Sequence, residues 1–238
     1  MEKKSINVYN LLIIDESGSM HSIYDQALSG INETLNGIRN AQRDYPDQNQ
    51  YVSIVTFEGD GVAGVKTRRD RVPASKVEDM TKSDYRPDGC TPLYDAMGLA
   101  ISHLDSNIDE GDAVLVTIIT DGMENASHEY DGAAIKGLVE SLRKEGWTFT
   151  YMGANQDAVE VARHLSIRNS RNFAYSQEGT REMMAKDACT RMNFFTRLWD
   201  MKKREIEDGE ANMTVEQRRN AYTCMADSAF DEEESKDA

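Results

Sequence analysis

No stretch of this sequence approaches the roughly 20 consecutive apolar residues that a bilayer-crossing helix requires. Its first apolar run, residues 11–14, stops at Asp15, well short of the roughly 7 to 15 residue core of a secretory signal. Cysteine is scarce: Cys90, Cys189 and Cys224 are odd in number, far apart and in no Cys-x-x-Cys pair. That argues against a disulfide framework and a zinc knuckle, and it fits a reducing compartment. Positive charge is also short, with 27 Lys and Arg against 42 Asp and Glu for a net charge of -15. A sequence-independent grip on nucleic acid or on an anionic membrane needs clustered cations, so neither is expected as a partner. The four histidines include no His-x-x-x-His pair, and His21 reads as a solvent-exposed side chain rather than a zinc ligand. No glycine loop ends in Gly-Lys-Ser or Gly-Lys-Thr, and the glycines do not form a dinucleotide fingerprint. The chain reads as a cytoplasmic protein.

What is present is 238 residues, enough for one α/β domain with a generous core, or for one domain and a short appendage. Strand-like and helix-like runs alternate from Val8 onward, which predicts a doubly wound, mostly parallel central sheet with helices on both faces. Residues 8–14 are apolar or aromatic apart from Asn10, as in a strand covered on both sides. Ile23, Ala27, Ile31, Leu35 and Ile38 recur at helical spacing, with Ser22 as the expected N-cap. Residues 51–57 and 62–67 flank a Gly-rich link and predict a hairpin, hence one antiparallel edge strand. Residues 68–89 read as irregular. Residues 113–120 form the strongest strand, placed centrally. A helix around Ile135 to Leu142 ends at Gly146, and a strand over 147–152 follows. Further helices are expected over 156–165 and 180–203, with a short strand near 172–175. The domain is assigned to residues 1–204. Residues 205–238 are read as a C-terminal helical extension, with a capping box at Thr214 and Gln217, and a solvated, disordered acidic tail.

The chemistry concentrates in three loops. Asp15-Glu16-Ser17-Gly18-Ser19 follows the first strand, so it lies at the carboxyl end of a parallel strand, where open α/β sheets bind ligands. It offers a carboxylate and two hydroxyls at alternate positions, with Gly18 expected to permit a tight bend. Asp88-Gly89-Cys90-Thr91-Pro92 leads into a helix, and Thr120-Asp121-Gly122 ends the central strand. These oxygen ligands suit Mg²⁺, with Mn²⁺ or Ca²⁺ as alternatives, rather than zinc. The same residue types also form ordinary turns and caps, and for Thr91 an N-cap with Pro92 at the first helical position is equally open. Cys90 is expected to be a small buried residue. Glu124, Asn125 and the loop 153–157 stand on the same edge as candidate contacts to a partner or to groups surrounding the cation.

In these loops the sequence resembles the von Willebrand factor A (VWA) family, whose metal-ion-dependent adhesion site (MIDAS) combines an Asp-x-Ser-x-Ser loop, a distant Thr and a later Asp. The resemblance covers roughly residues 8–165 and implies a Rossmann-like fold. It implies that Asp15, Ser17, Ser19, Thr91 and Asp121 hold a divalent cation that leaves one position for an acidic group of a protein partner. It implies no enzyme. Two other readings stay open. One is an adaptor with a structural metal site that binds through residues 205–238. The other is a metal-dependent phosphoryl hydrolase with Asp15 as nucleophile, which is disfavoured because Ser17 stands where such phosphatases carry a second, acid-base aspartate.

Overall fold

The computed structural model describes residues 5–121, 123–153, 157–172, 176–207 and 213–234. In chain order the elements are β1 (Ile6–Asp15), α1 (Tyr24–Asp44), β2 (Gln48–Phe57), β3 (Val65–Pro73), α2 (Leu93–Asp105), β4 (Ala113–Thr120), α3 (Gly132–Lys144), β5 (Thr148–Gly153), α4 (Asp157–His164), β6 (Asn169–Asn172), α5 (Gln177–Glu207) and α6 (Val215–Glu234), with short 3-10 turns between some of them. The six strands form one sheet in the order β3-β2-β1-β4-β5-β6. All neighbours are parallel except β2 and β3. This is the doubly wound sheet with an antiparallel edge strand that the alternation of patterns predicts.

Successive residues of a strand point to opposite faces, and β1 shows which helices each face receives. Leu11 and Ile13 belong to a core shared with Leu93, Met97 and Ile101 of α2 and Ile135, Val139 and Leu142 of α3. Leu12 and Ile14 pack instead with Ile31, Leu35 and Ile38 of α1 and with Met183 and Met184 of α5. Toward the amino end of the strands, Val8, Ala113 and Leu115 meet Phe194, Phe195 and Leu198 of α5 and Tyr222 and Ala226 of α6. The α1 and α5 axes lie so close that a Cβ at Gly30 would stand 2.4 Å from Met184 Cγ.

Asn10, the one polar interruption of residues 8–14, faces α5. It accepts a hydrogen bond from Arg191 Nη1 at 3.3 Å and donates to Gln50 Oε1 at 3.0 Å. The buried Arg191 also reaches Thr117 Oγ1 at 2.7 Å and Asp187 Oδ2 at 3.0 Å. A polar seam therefore runs between sheet and helix, with its charges paired as burial demands.

Several local expectations change. The edge strand β3 extends to Pro73, through residues read as irregular, because a solvent-facing edge strand needs no apolar alternation. Its register against β2 shifts between Val52 and Ile54 and again between Ile54 and Val55. Arg71, at φ 46, lies beside that irregularity. A 3-10 turn over Gly18–Ile23 precedes α1, so Ile23 rather than Ser22 holds the N-cap position; the Ser22 hydroxyl bonds back to Ser19 O. The last strand forms at Asn169–Asn172, earlier than expected, and residues 173–175 lie outside the described set. Gly146 does end α3, at φ 91, with its N–H on Arg143 O. The Thr214 and Gln217 box is present in both directions, at 2.8 and 3.2 Å. Helix α6 continues through residues 231–234, which were expected to be disordered.

Candidate metal centre

The sheet order reverses between β1 and β4: the chain winds outward from β1 to β2 and β3 on one side and from β4 to β5 and β6 on the other. Ile14 pairs with Ile119, so Asp15 and Thr120 end adjacent strands at this switch point, the crevice where open α/β sheets bind ligands.

Asp15 is fully buried. Its Oδ1 accepts the Ser17 N–H at 2.7 Å and its Oδ2 accepts the Thr120 hydroxyl at 2.5 Å. Ser17 Oγ stands 3.1 Å from Ser19 Oγ, and Ser19 Oγ donates to Asp121 Oδ1 at 2.5 Å. Four of the five sequence-selected residues thus form one hydrogen-bonded chain. It is buried at Asp15 and open to solvent at Ser19. Burial raises the Asp15 pKa to about 6 and the Asp121 charge adds to the rise, while hydrogen bonds from Thr120 and Ser17 only partly oppose it. A carboxylate desolvated among neutral donors is a group that a cation would stabilise.

Thr91 is buried, 3% exposed, in the loop before α2. That loop is tied to the first by Asp88 N–H on Glu16 O at 2.7 Å and Gly18 N–H on Gly89 O at 3.1 Å. Gly89 is the glycine whose freedom matters here: it sits at φ 69, and a Cβ would lie 2.9 Å from Gly59 N. Gly18, credited with that role from the sequence, shows no positive φ and serves through its N–H. Thr91 does not cap α2, since Pro92 occupies the N-cap position and no side-chain cap bond is made. Instead Thr91 and Asn125 exchange bonds: Thr91 N–H to Asn125 Oδ1 at 2.9 Å, Asn125 N–H to Thr91 O at 3.2 Å. Among the described residues no direct hydrogen bond joins Thr91 to the other four.

Glu124 and Asn125, candidates for contact with a partner or with groups around the cation, are both engaged within the loop cluster, Asn125 on Thr91 itself. Besides Asn125, Glu124 accepts N–H bonds from Tyr94, Ala126 and Ser127 and the Ser127 hydroxyl, so the third loop is fastened to the start of α2. Residues 154–156 of the other candidate loop lie outside the described set, as does Gly122. Cys90 is exposed rather than buried, and His21 is exposed as expected.

Sequence reading missed three supports. Glu16, buried in the motif, receives both Arg68 Nη2, at 2.8 and 3.2 Å, and the Arg86 N–H. The Tyr85 hydroxyl donates to Asp15 O at 3.0 Å. Asp95, fully buried, accepts the N–H groups of His128, Glu129 and Tyr130. Only Glu16 carried a signal, as a charged residue inside a motif followed by buried packing. Nothing in the sequence pairs it with an edge-strand arginine.

The five residues selected from the sequence offer two carboxylates and three hydroxyls. All five are hard oxygen donors of the kind that bind Mg²⁺, Mn²⁺ or Ca²⁺, although among the described residues no three His, Cys, Asp or Glu side chains group into a metal site. The residues fit such an ion.

No family model and no curated protein matches the chain. Among solved structures, the pilus adhesin SpaC from Lactobacillus rhamnosus GG is similar at a TM-score of 0.59 and 15% identity, over 82% of this chain and 31% of that one. The PilB minor pilin from Streptococcus sanguinis is similar at a TM-score of 0.56 and 11% identity, over 77% and 61%. A von Willebrand factor type A protein from Catenulispora acidiphila aligns at 16% identity over 78% and 43%, with a TM-score of 0.48 that adds nothing to the argument. This chain spans about three fifths of the pilin and about a third of the adhesin. At these identities the likeness establishes the α/β fold alone.

Proposed function

We propose that the chain is a divalent-cation-dependent protein-binding module of the VWA kind, with Asp15, Ser17, Ser19, Thr91 and Asp121 holding Mg²⁺, or alternatively Mn²⁺ or Ca²⁺. Bound there, the ion supplies a hard positive charge to which a carboxylate of a partner protein can attach. The observation that carries this reading is the chain of hydrogen bonds from Asp15 through Ser17 and Ser19 to Asp121, placed at the switch point of the sheet. Asp15 and Ser17 orient each other, Asn125 fixes the Thr91 backbone, and the exposed Ser19 end gives a partner access. A pilus adhesin and a minor pilin on the same fold are in keeping with a binding role.

The adaptor reading is weaker because α6 spends Tyr222 and Ala226 on the core. Hydrolysis is weaker because a hydroxyl, not a second acid, follows Asp15 at the alternate position. A reducing, cytoplasmic setting fits three cysteines, Cys90, Cys189 and Cys224, that are exposed and far apart in sequence, since oxidising compartments pair or modify such groups. No helix among the described residues is long and apolar enough to cross a membrane.

Titration calorimetry with Mg²⁺ and Mn²⁺ tests the site: wild type should give binding heat and Asp15→Ala none, while both melt cooperatively. Equal heats would remove Asp15 from the site. Capture of partners from native lysate with and without EDTA then tests the function, and a bound set indifferent to EDTA would make the cation structural.

A further inference from the structure

The edge of the sheet opposite the candidate metal centre carries a second feature. The carboxyl end of α3, the turn between α4 and β6, and one face of α6 enclose an open groove of about 1000 Å³. Because β5 and β6 run parallel to β1, the segments that enter them lie at the far edge from Asp15. Arg143, Lys144, Arg163 and Arg168 line this groove, against Glu140 as the acid among its lining residues. Arg163 also lies 4.0 Å from Glu160 in an exposed pair on α4, yet four cations against two acids still stand out on a chain of net charge -15.

The local structure holds this arrangement. Ser166 closes α4 in the left-handed region at φ 59, a conformation that costs a non-glycine residue unless its surroundings fix it. They do: Ser166 Oγ donates to Glu140 Oε1 at 2.7 Å, and Arg143 Nη1 donates to Ser166 O at 3.0 Å. The turn is thus fastened to α3, and Glu140 is occupied within it. Arg163 and Arg168 project as exposed residues on either side of the turn, Lys144 is exposed on α3, and Val159, 44% exposed, adds an apolar surface beside the buried Ile167.

We propose that this groove is a second interaction surface that binds an acidic peptide segment of a partner protein, independently of the cation site. The chemistry selects that occupant over the other anions. A single phosphate would leave most of a cavity of about 1000 Å³ unfilled. A nucleic acid would lay its phosphates along a surface whose overall charge of -15 repels them beyond the groove. A short peptide sets carboxylates against the exposed Lys144, Arg163 and Arg168 and an apolar side chain against Val159, and it needs no larger basic footprint.

The probe is a fluorescein-labelled peptide of glutamates with a leucine at every third position, followed by anisotropy with the full chain in EDTA. Wild type and Asp15→Ala should bind it alike, and affinity should fall as salt shortens the screening length. The double variant Arg163→Glu with Arg168→Glu, which changes two exposed side chains and should keep the wild-type melting curve, should bind about tenfold or more weakly. Absence of binding, or equal binding by the double variant, overturns the proposal. So does competition by a thymidine oligonucleotide or inorganic phosphate at the concentration at which unlabelled peptide competes. Binding that appears only when Mg²⁺ replaces EDTA, and that Asp15→Ala then loses, would assign the peptide to the metal centre instead, so the two sites stand or fall separately.

Discussion

At the scale of single residues, Asp15 decides most. Burial raises its pKa from 3.8 to about 6, so the fold takes up a proton more readily than the unfolded chain does. Without a cation, stability from this group is therefore greatest below about pH 4, declines as the pH rises toward 6, and stays low above that. The shift corresponds to about 2 to 3 kcal/mol at neutral pH. Asp15→Asn should accordingly melt higher than wild type at pH 7.5 in EDTA, with the difference closing near pH 4. Saturating Mg²⁺ should raise the melting temperature of wild type and leave the variant unchanged. A variant that melts lower than wild type in EDTA at pH 7.5 would show that the carboxylate is stabilised by its protein neighbours alone. That Asp15, Ser17, Ser19 and Asp121 come together was legible because the loop pattern and strand ends are local signals. How Thr91 is held was not, since its partner Asn125 belongs to another loop and its neighbour Gly89 touches a third.

At the scale of elements, β3 is the instructive strand. Its sequence, VKTRRDRVP, offers no buried face, so only its hairpin half was readable. Yet this edge carries Arg68, which spans β2 by bonding Thr56 Oγ1 at 2.9 Å and Glu16 at 2.8 Å. Glu16 is 1% exposed, so losing its partner leaves a buried charge. Arg68→Met should cost about 3 kcal/mol in urea denaturation, and adding Glu16→Gln should recover part of it. A loss within about 0.5 kcal/mol would mean that the Arg86 N–H and solvent suffice for Glu16. Amphipathic helices were easier to read: Ile31, Leu35 and Ile38 are all fully buried, as a 3.6-residue period requires. The capping box before α6 was equally plain because both of its partners lie within one turn.

At the scale of the whole molecule, the alternation of strand and helix sufficed for the layered architecture, but the fate of the C-terminal segment did not follow from composition. A polar, acidic stretch gives little sign that Tyr222 and Ala226 will join Val8, Leu115 and Phe195 in one cluster. The Tyr222 hydroxyl adds a bond to Gly111 O at 3.2 Å. Truncation after Arg204 should therefore lower the melting temperature by several degrees and expose apolar surface to a dye such as ANS. An unchanged melting curve would show that the body holds its own core. Until that control is in hand, loss of a partner on deleting residues 205–238 reports on folding as much as on binding.

The separation of the metal-site loops along the chain has a consequence in time. Thr120 and Asp15 are 105 residues apart in sequence, and their carboxyl-edge neighbourhood exists only after β4 has inserted beside β1. During synthesis β1, β2 and β3 can associate while that strand is still within the ribosome, whereas the proposed cation seat must wait for a long loop to close. Interactions completed after the rate-limiting step act on the reverse reaction. Mg²⁺ should thus slow unfolding in stopped-flow measurements and leave the refolding rate nearly unchanged, so the ion would act as a late latch on a sheet already assembled.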